Sequence, residues 1–268
     1  MDGRQARGSR GQSQVSFYLM NILGIETSCD ETSAAVAVNG SRLLSNVVAT
    51  QTVVHKKYGG VVPELASRSH ILRVGDVTQK ALRDAKKTMK DVDGIAVTHG
   101  PGLMGSLLVG VMYAKGLGAA LDVPVCGINH IEAHLYANFL DFHERLGYPY
   151  LGLVVSGGHT HLFDVAALGR HRLIGRTVDD AAGEAFDKVA HLLGLGFPGG
   201  PQIEKLAAGG NPGAVAFPRG MLHSGDFRFS FSGLKTAVAR FVSGPGARKV
   251  SKADIAASPQ DATSLPAP

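Results

Sequence analysis

Two stretches of this chain carry the same order of elements, and that repetition limits the folds open to it more than any other feature. Strand-like segments at Ile22 to Thr27, Ser33 to Val38 and Leu43 to Thr50 lead into a helix from Pro63 to about Ala85. Proline suits the first helical turn, where a missing N–H costs nothing. A strand at Gly94 to Thr98, a helix from Ser106 to Leu121, a strand at Pro124 to Asn129 and a short helix from His130 to Phe139 follow. The order then restarts, with strands at Tyr150 to Ser156, His161 to Ala166 and Arg172 to Val178. Helices at Ala181 to Leu193, Pro201 to Ala208 and Ser232 to Val242 complete it. A βββα order used twice predicts an α/β fold with two related halves facing across a cleft. On that symmetry the second half is incomplete, since it lacks the strand–helix–strand that closes the first.

The domain boundaries follow. Residues 1–19 read as a disordered polar extension, with Met20 the expected natural start. Residues 20–148 form the first half and 149–243 the incomplete second. Residues 244–268 turn rich in Gly, Pro, Ser and Ala, and read as a disordered tail too poor in apolar residues to pack. Glycine supplies 35 of the 268 residues, about 13% against an ordinary ~7%. With no collagen period, that excess points to tight turns and ligand-cradling loops. The net charge of +5 favours an anionic partner such as nucleic acid or nucleotide. Two cysteines exclude a multi-bridge disulfide framework and a four-cysteine zinc site, and fit a reducing, cytoplasmic setting. Cys29 reads as a small packing residue and Cys126 as core. The longest apolar stretch, Leu107 to Leu121, is shorter than a membrane span requires, and the N-terminus is not a secretory signal.

The sharpest motif is His130-Ile131-Glu132-Ala133-His134. Histidines at i and i+4 share one helix face, so both imidazoles can reach one ion. Two polar residues on a solvated face would look the same. In the zinc-protease signature the glutamate directly follows the first histidine. Glu132 instead lies about 200° around the helix from His130, which suits a metal pair and not a protease base. Val155-Ser156-Gly157-Gly158-His159-Thr160 reads as either an anion nest or a Gly-Gly hairpin turn. Gly24 to Ser33 is a polar hairpin dense in hydroxyls and carboxylates, suited to phosphate or metal-water contacts. Gly-rich loops at His99 to Ser106 and Phe197 to Pro201 each precede a helix and could seat an anion at its N-terminus. Asp179, Asp180, Glu184 and Asp187 make an acidic helix start, of which two could cap the helix and favour its dipole, and Asp187 suits a ligand contact. Arg68, Arg73, Lys80, Arg83, Lys86, Lys87 and Lys90 are either a solvated helix face or a strip for a phosphate backbone.

These motifs occur in a fixed order. Gly24-Ile25-Glu26-Thr27-Ser28-Cys29-Asp30-Glu31-Thr32 comes first, then the run Tyr58 to Arg68 and the Gly100-Pro101-Gly102 loop. The histidine pair, Val155 to Thr160, Asp179 to Lys188 and Phe229 to Lys235 follow. From about Met20 to Ala257 the chain resembles the bacterial tRNA adenosine threonylcarbamoyltransferase family, the TsaD type, formerly described as O-sialoglycoprotein endopeptidase. The resemblance implies an actin-like (ASKHA) fold of duplicated ribonuclease-H-like domains. It implies transfer of the threonylcarbamoyl group from threonylcarbamoyl-AMP to the adenosine 3′ of the anticodon in tRNAs reading A-starting codons. One divalent metal, iron or zinc, would sit on His130 and His134. Val155, Ser156, Gly157, Gly158 and His159 would cradle the substrate. Asp187, Gly200 and Glu204 would complete the nucleotide side, and Asp30 and Glu31 would lie near the reacting centre. The implied partners are tRNA and accessory subunits of the TsaB and TsaE types.

The family continues for roughly a further quarter of its length and carries an aspartate as third metal ligand there; this chain departs from it at Pro259. The chain is therefore expected to be truncated, to bind metal weakly and to be poorly active. The rival readings are a metalloprotease, a non-catalytic or inactive homologue, and a sugar kinase or other ATPase of the same fold class.

Overall fold

The computed structural model describes residues 19–40, 42–142 and 146–263. The expected N-terminal extension lies almost wholly outside these residues, as does 264–268. The first half is built on β1 (Asn21–Glu26), whose Leu23 and Ile25 point into the core. β2 (Glu31–Val38) pairs antiparallel with β1, and β3 (Arg42–Thr50) antiparallel with β2. A single turn, α1 (Thr52–His55), and the long α2 (Pro63–Asp84) follow, with proline at the start of α2 as expected. β4 (Gly94–Gly100) adds to β1 in parallel, α3 (Met104–Leu121) crosses over, and β5 (Val125–Asn129) adds to β4 in parallel. The sheet order is β3-β2-β1-β4-β5.

Helix spacing explains how the sheet is covered. α2 buries Ala66, His70, Val74, Val77 and Ala81, and α3 buries Leu107, Gly110, Ala114 and Gly118, each set recurring every three or four residues. Leu23, Ile25, Val36, Ile95 and Val97 meet them in one core. α3 is long and apolar enough to cross a membrane by length and composition, but here it lies on the sheet. Cys126, expected in the core, is exposed, because β5 is the edge strand.

α4 (His130–Phe142) begins directly after β5, with the Asn129 carboxamide accepting from the N–H groups of Ile131 and Glu132. Its buried residues Ile131 and Leu135 pack on the second sheet, against Val154, Phe163 and Val165. That sheet is an antiparallel β6-β7-β8 meander: β6 (Tyr150–Val155), β7 (Thr160–Ala167) and β8 (Arg170–Arg176). Then come α5 (Ala182–Leu192), α6 (Gly199–Ala207) and α7 (Ser232–Ser243).

The expected disordered tail is corrected over most of its length. Residues Lys252–Thr263 form α8, and Ile255, Ala256 and Ala257 are buried against Ile203, Ala207 and Val238. Ser251 starts it by accepting from the Asp254 N–H, and Arg219 pairs with Asp261 at 2.7 Å. Small apolar residues suffice where three other helices already supply the bulk.

Candidate functional site

The β1–β2 turn is the hinge of the site. Glu26 ends β1 and Asp30 precedes β2, so the turn projects Ser28, Cys29 and Asp30 from the sheet end. Ser28 Oγ lies 3.0 Å from His130 Nδ1, and Glu26 Oε2 lies 3.3 Å from the same nitrogen. Thr98 donates to Glu26 Oε2 at 2.5 Å, and the Ser28 amide donates to Oε1. Burial pushes the Glu26 carboxyl up, but the hydrogen bonds from His130, Ser28 and Thr98 outweigh it and hold the group at about 2. A fixed carboxylate therefore orients the His130 ring through Nδ1 and leaves Nε2 facing His134, as a carboxylate behind a metal-binding histidine does.

The motif spacing does bring His130 and His134 together. Their Nε2 atoms are 3.2 Å apart, close to the ~3.3 Å between two tetrahedral ligands that each sit ~2.0–2.1 Å from an ion. Burial and the neighbouring His130 lower the His134 pKa, which favours the neutral, ligating imidazole. His159 joins them with its ring 5.8 Å from that of His130, and burial with the surrounding histidines holds it down at about 4. Two histidines with an orienting carboxylate fit part of a metal site. Among the described residues no three His, Cys, Asp or Glu side chains gather tightly enough to enclose an ion. Glu132 points elsewhere: its carboxylate sits 3.5 Å from His171 Nε2 on β8. It ties α4 to the second sheet and is not aimed at the histidine pair, so the geometry gives no protease base.

On the other side of the turn lies a cleft of about 1140 Å³ between the halves. Asp30 and the loop Tyr58 to Val61 form one wall; Val155, Ser156, Gly157 and the start of α5 form the other. Asp187, Gly200, Lys188 and Lys235 also line it. Gly183 lets α5 approach the β6–β7 turn, since a Cβ there would fall 2.6 Å from the Ser156 carbonyl. The turn itself is a hairpin connection whose Ser156 Oγ accepts the Gly158 and His159 amides. Asp187 accepts the Gly199 amide at 2.7 Å and so caps α6 from α5; burial, the dominant influence, raises its pKa. Lys188 and Lys235 both donate to Asp180 Oδ2.

Of the site residues expected from the sequence, Asp30, Val155, Ser156, Gly157, Asp187 and Gly200 line the cleft. His130, His134 and His159 cluster behind the turn. Glu31 is exposed at the start of β2 opposite Thr50, and Glu204 is exposed on α6; neither lines the cleft, nor does Gly158. The Gly100-Pro101-Gly102 loop packs on Ser28, where the Leu103 amide bonds the Ser28 carbonyl. Asp179 and Asp180 do not cap α5 with their side chains. Asp179 reaches α7 and Asp180 takes the two lysines. From the sequence, Glu26 and Ser28 are only members of the polar Gly24–Ser33 hairpin, and the Tyr58 to Val61 loop is a motif without an assigned contact. Their signal was the Gly-Ile-Glu-Thr-Ser and Tyr-Gly-Gly runs at strand and loop ends.

Two α/β halves with a cleft between them, the first on a 3-2-1-4-5 sheet, define an actin-like fold. Component A of (R)-2-hydroxyglutaryl-CoA dehydratase from Acidaminococcus fermentans superposes with a TM-score of 0.54 at 13% identity, covering 91% of this chain and 74% of that one. The activator of 2-hydroxyisocaproyl-CoA dehydratase from Clostridium difficile gives 0.51 at 12% identity, covering 91% and 72%. At such identities the likeness shows the fold alone. Residues 42–266 match the family described as TsaD: tRNA N6-adenosine threonylcarbamoyltransferase. A protein of that name from Desulfitobacterium hafniense is 55% identical over 245 residues, covering 91% of this chain and 72% of the relative. One from Clostridium perfringens is 54% identical over 243 residues, covering 90% and 71%. The chain belongs to the TsaD family.

Proposed function

We propose that this chain is an acyltransferase that moves a threonylcarbamoyl group from threonylcarbamoyl-AMP to N6 of the adenosine 3′ of the anticodon, in tRNAs reading A-starting codons. One observation carries it: the Ser28–Asp30 turn joins an oriented histidine pair to a nucleotide-sized cleft, in a chain that shares over half its residues with relatives bearing that name. The cleft holds the adenylate between glycine-lined walls, with Gly157 on one side and Gly59 and Gly60 on the other. Holding donor and acceptor together removes much of the entropic barrier. The adenosine amine attacks the carbamoyl carbon, the carbon–oxygen bond to AMP breaks, and the amine loses one proton. Asp30, which lines the cleft wall, would be the carboxylate that takes it. His130 and His134 would hold a divalent metal, iron or zinc, which supplies Lewis acidity when bound.

The basic residues Arg83, Lys86, Lys87 and Lys90 gather at the C-terminal end of α2 and support a tRNA contact; Arg68 and Lys80 are paired with Glu64 and Asp84. Met104, Leu108 and Met112 form an exposed apolar row on α3 that supports docking of accessory subunits of the TsaB and TsaE types. The reading places the enzyme in the cytoplasm with its tRNA.

The test incubates the chain, with and without those subunits, with threonylcarbamoyl-AMP and tRNA transcripts, followed by nucleoside mass spectrometry. Threonylcarbamoyladenosine must appear only in tRNAs reading A-starting codons, and be lost in His130→Ala. Cleavage of a glycoprotein, or ATP turnover without tRNA, in the absence of the modified nucleoside would sink the reading.

A further inference from the structure

Behind the cleft wall, three polar side chains are wholly buried, two at the α1 turn and one on α2. Gln51, His55 and His70 each have no exposed surface. Gln51 directly precedes α1, His55 ends it, and His70 lies on α2. Buried polar groups persist when they are hydrogen-bonded, and these are.

The directions of the bonds follow from one fixed end. His70 Nε2 is 3.0 Å from the Cys29 carbonyl, which can only accept, so Nε2 carries the proton. His70 Nδ1 is then an acceptor, facing Thr32 Oγ1 at 2.8 Å, and Gln51 Nε2 rests against the ring, 3.3 Å from Nδ1 and 3.4 Å from Nε2. That orients Gln51, whose Oε1 faces His55 Nε2 at 3.1 Å and so receives its proton. His55 Nδ1 is left as acceptor for the Val62 amide at 3.3 Å. The donors therefore run in one sense, from Val62 through His55, Gln51 and His70 to Cys29. The Gln51 backbone N–H, separately from its side chain, donates to the Asp30 carbonyl at 3.1 Å. Both ends of the chain of bonds are cleft wall: Val61 precedes Val62, and Asp30 follows Cys29.

We propose that Gln51, His55 and His70 are positioning residues that fix the distance between the Asp30 turn and the Tyr58–Val61 loop, with both histidines locked as neutral Nε2–H tautomers. The burial of His70 lowers its pKa and agrees with that state. The Cys29 carbonyl fixes the His70 tautomer and the Val62 amide fixes the His55 tautomer, and Gln51 bridges the two rings in one relay. The consequence for catalysis rests on the transferase reading above, since the residues touch no substrate themselves.

The experiment has two arms. Nitrogen-15 spectra of the histidine-labelled protein are expected to show His55 and His70 both neutral and protonated at Nε2; a proton at Nδ1 of either ring overturns the relay, whatever the activity. In the kinetic arm, His55→Leu removes both His55 contacts, whereas His55→Asn loses the donor to Gln51 but keeps an acceptor near the Nδ1 position for Val62. His55→Leu is expected to lower kcat for transfer ~10–100-fold, the scale on which small misplacements act, with KM for threonylcarbamoyl-AMP unchanged, and His55→Asn to recover most of the loss. Amide exchange at Tyr58 to Val62 rises in His55→Leu and not in His55→Asn. Thr78→Val, elsewhere on α2, leaves kcat unchanged. Equal losses in the two His55 variants, or a loss confined to KM, would refute the positioning role. If the wild-type chain transfers nothing, the function fails while the tautomer and exchange readouts still decide the relay.

Discussion

β1 has β2 on one side and β4 on the other, whereas its counterpart β6 has β7 on one side and no strand on the other among the described residues. Both open a βββα unit, and both are apolar. Leu23 and Ile25 of β1 are buried under α2 and α3. Along β6 the burial alternates: Val154 packs under α4, while Leu151, Leu153 and Val155 are 68%, 58% and 54% exposed. The run Tyr-Leu-Gly-Leu-Val-Val has the composition of a strand covered on both faces, yet only one face is covered. The same local plan thus yields an inner strand in one half and a half-covered edge in the other, because neighbours and not the strand's own residues decide burial. The chain spans 72% of the length of its Desulfitobacterium relative.

The largest effect expected from this contrast is in the first core. Leu23→Ala removes a fully buried side chain and should cost ~2–5 kcal/mol in chemical denaturation. Leu153→Ala, on the open face, should cost less than ~0.5 kcal/mol. Similar costs at the two sites would mean that β6 is covered in solution, and would break the comparison.

Next in size are the caps. Asp179 accepts the Phe231 amide at 2.8 Å, the Ser232 amide at 3.2 Å and the Ser230 hydroxyl at 2.5 Å, and so holds the start of α7 from 52 residues away. Asp179→Ala should cost ~1.5–3 kcal/mol, the range for hydrogen bonds to a charged group. Burial raises the Asp179 pKa, but these three hydrogen bonds outweigh it and hold it below its ordinary 3.8. A depressed folded pKa gives stability that is present above 3.8 and lost as the pH falls further, through the folded value. The acid limb of a stability–pH curve should therefore flatten below 3.8 in Asp179→Ala relative to wild type. Asn129 does the equivalent task locally for α4, and Asn129→Ala should cost ~0.5–2 kcal/mol. A larger loss at Asn129 than at Asp179 would reverse this order of the halves.

Much of this architecture was legible in the sequence because it is local. Period-2 and period-3.6 patterns located the strands and the long helices, and the i, i+4 spacing put His130 and His134 on one face. What was not legible depends on which element meets which. Ile131 and Leu135 declare that α4 has an apolar side, not that the second sheet receives it. Gln51 and His55 sit four apart around α1, but His70 lies on α2, so no spacing links it to them. Glu26 meets His130 only because β1 and β5 share a sheet. α8 was missed for a different reason: Ala, Ser and Pro read as tail composition, and the informative signal was the Ser251-x-x-Asp254 start, a helix-opening pattern.

The smallest effect on stability is expected on the open face of β6, and it sharpens the comparison most. Exposed Leu151, Leu153 and Val155 form an apolar row on a strand that, among the described residues, is unpaired along one edge, a combination that promotes edge-to-edge association. Leu153→Lys should leave the denaturation midpoint nearly unchanged, within the ~0.5 kcal/mol of a surface substitution. It should nonetheless reduce self-association in sedimentation velocity, because a charge on the row opposes close pairing. The matched change on β1, Leu23→Lys, would bury an unpaired ammonium and should prevent folding. If Leu153→Lys also unfolds the protein, the outer face of β6 is an interior surface and the two halves are alike after all.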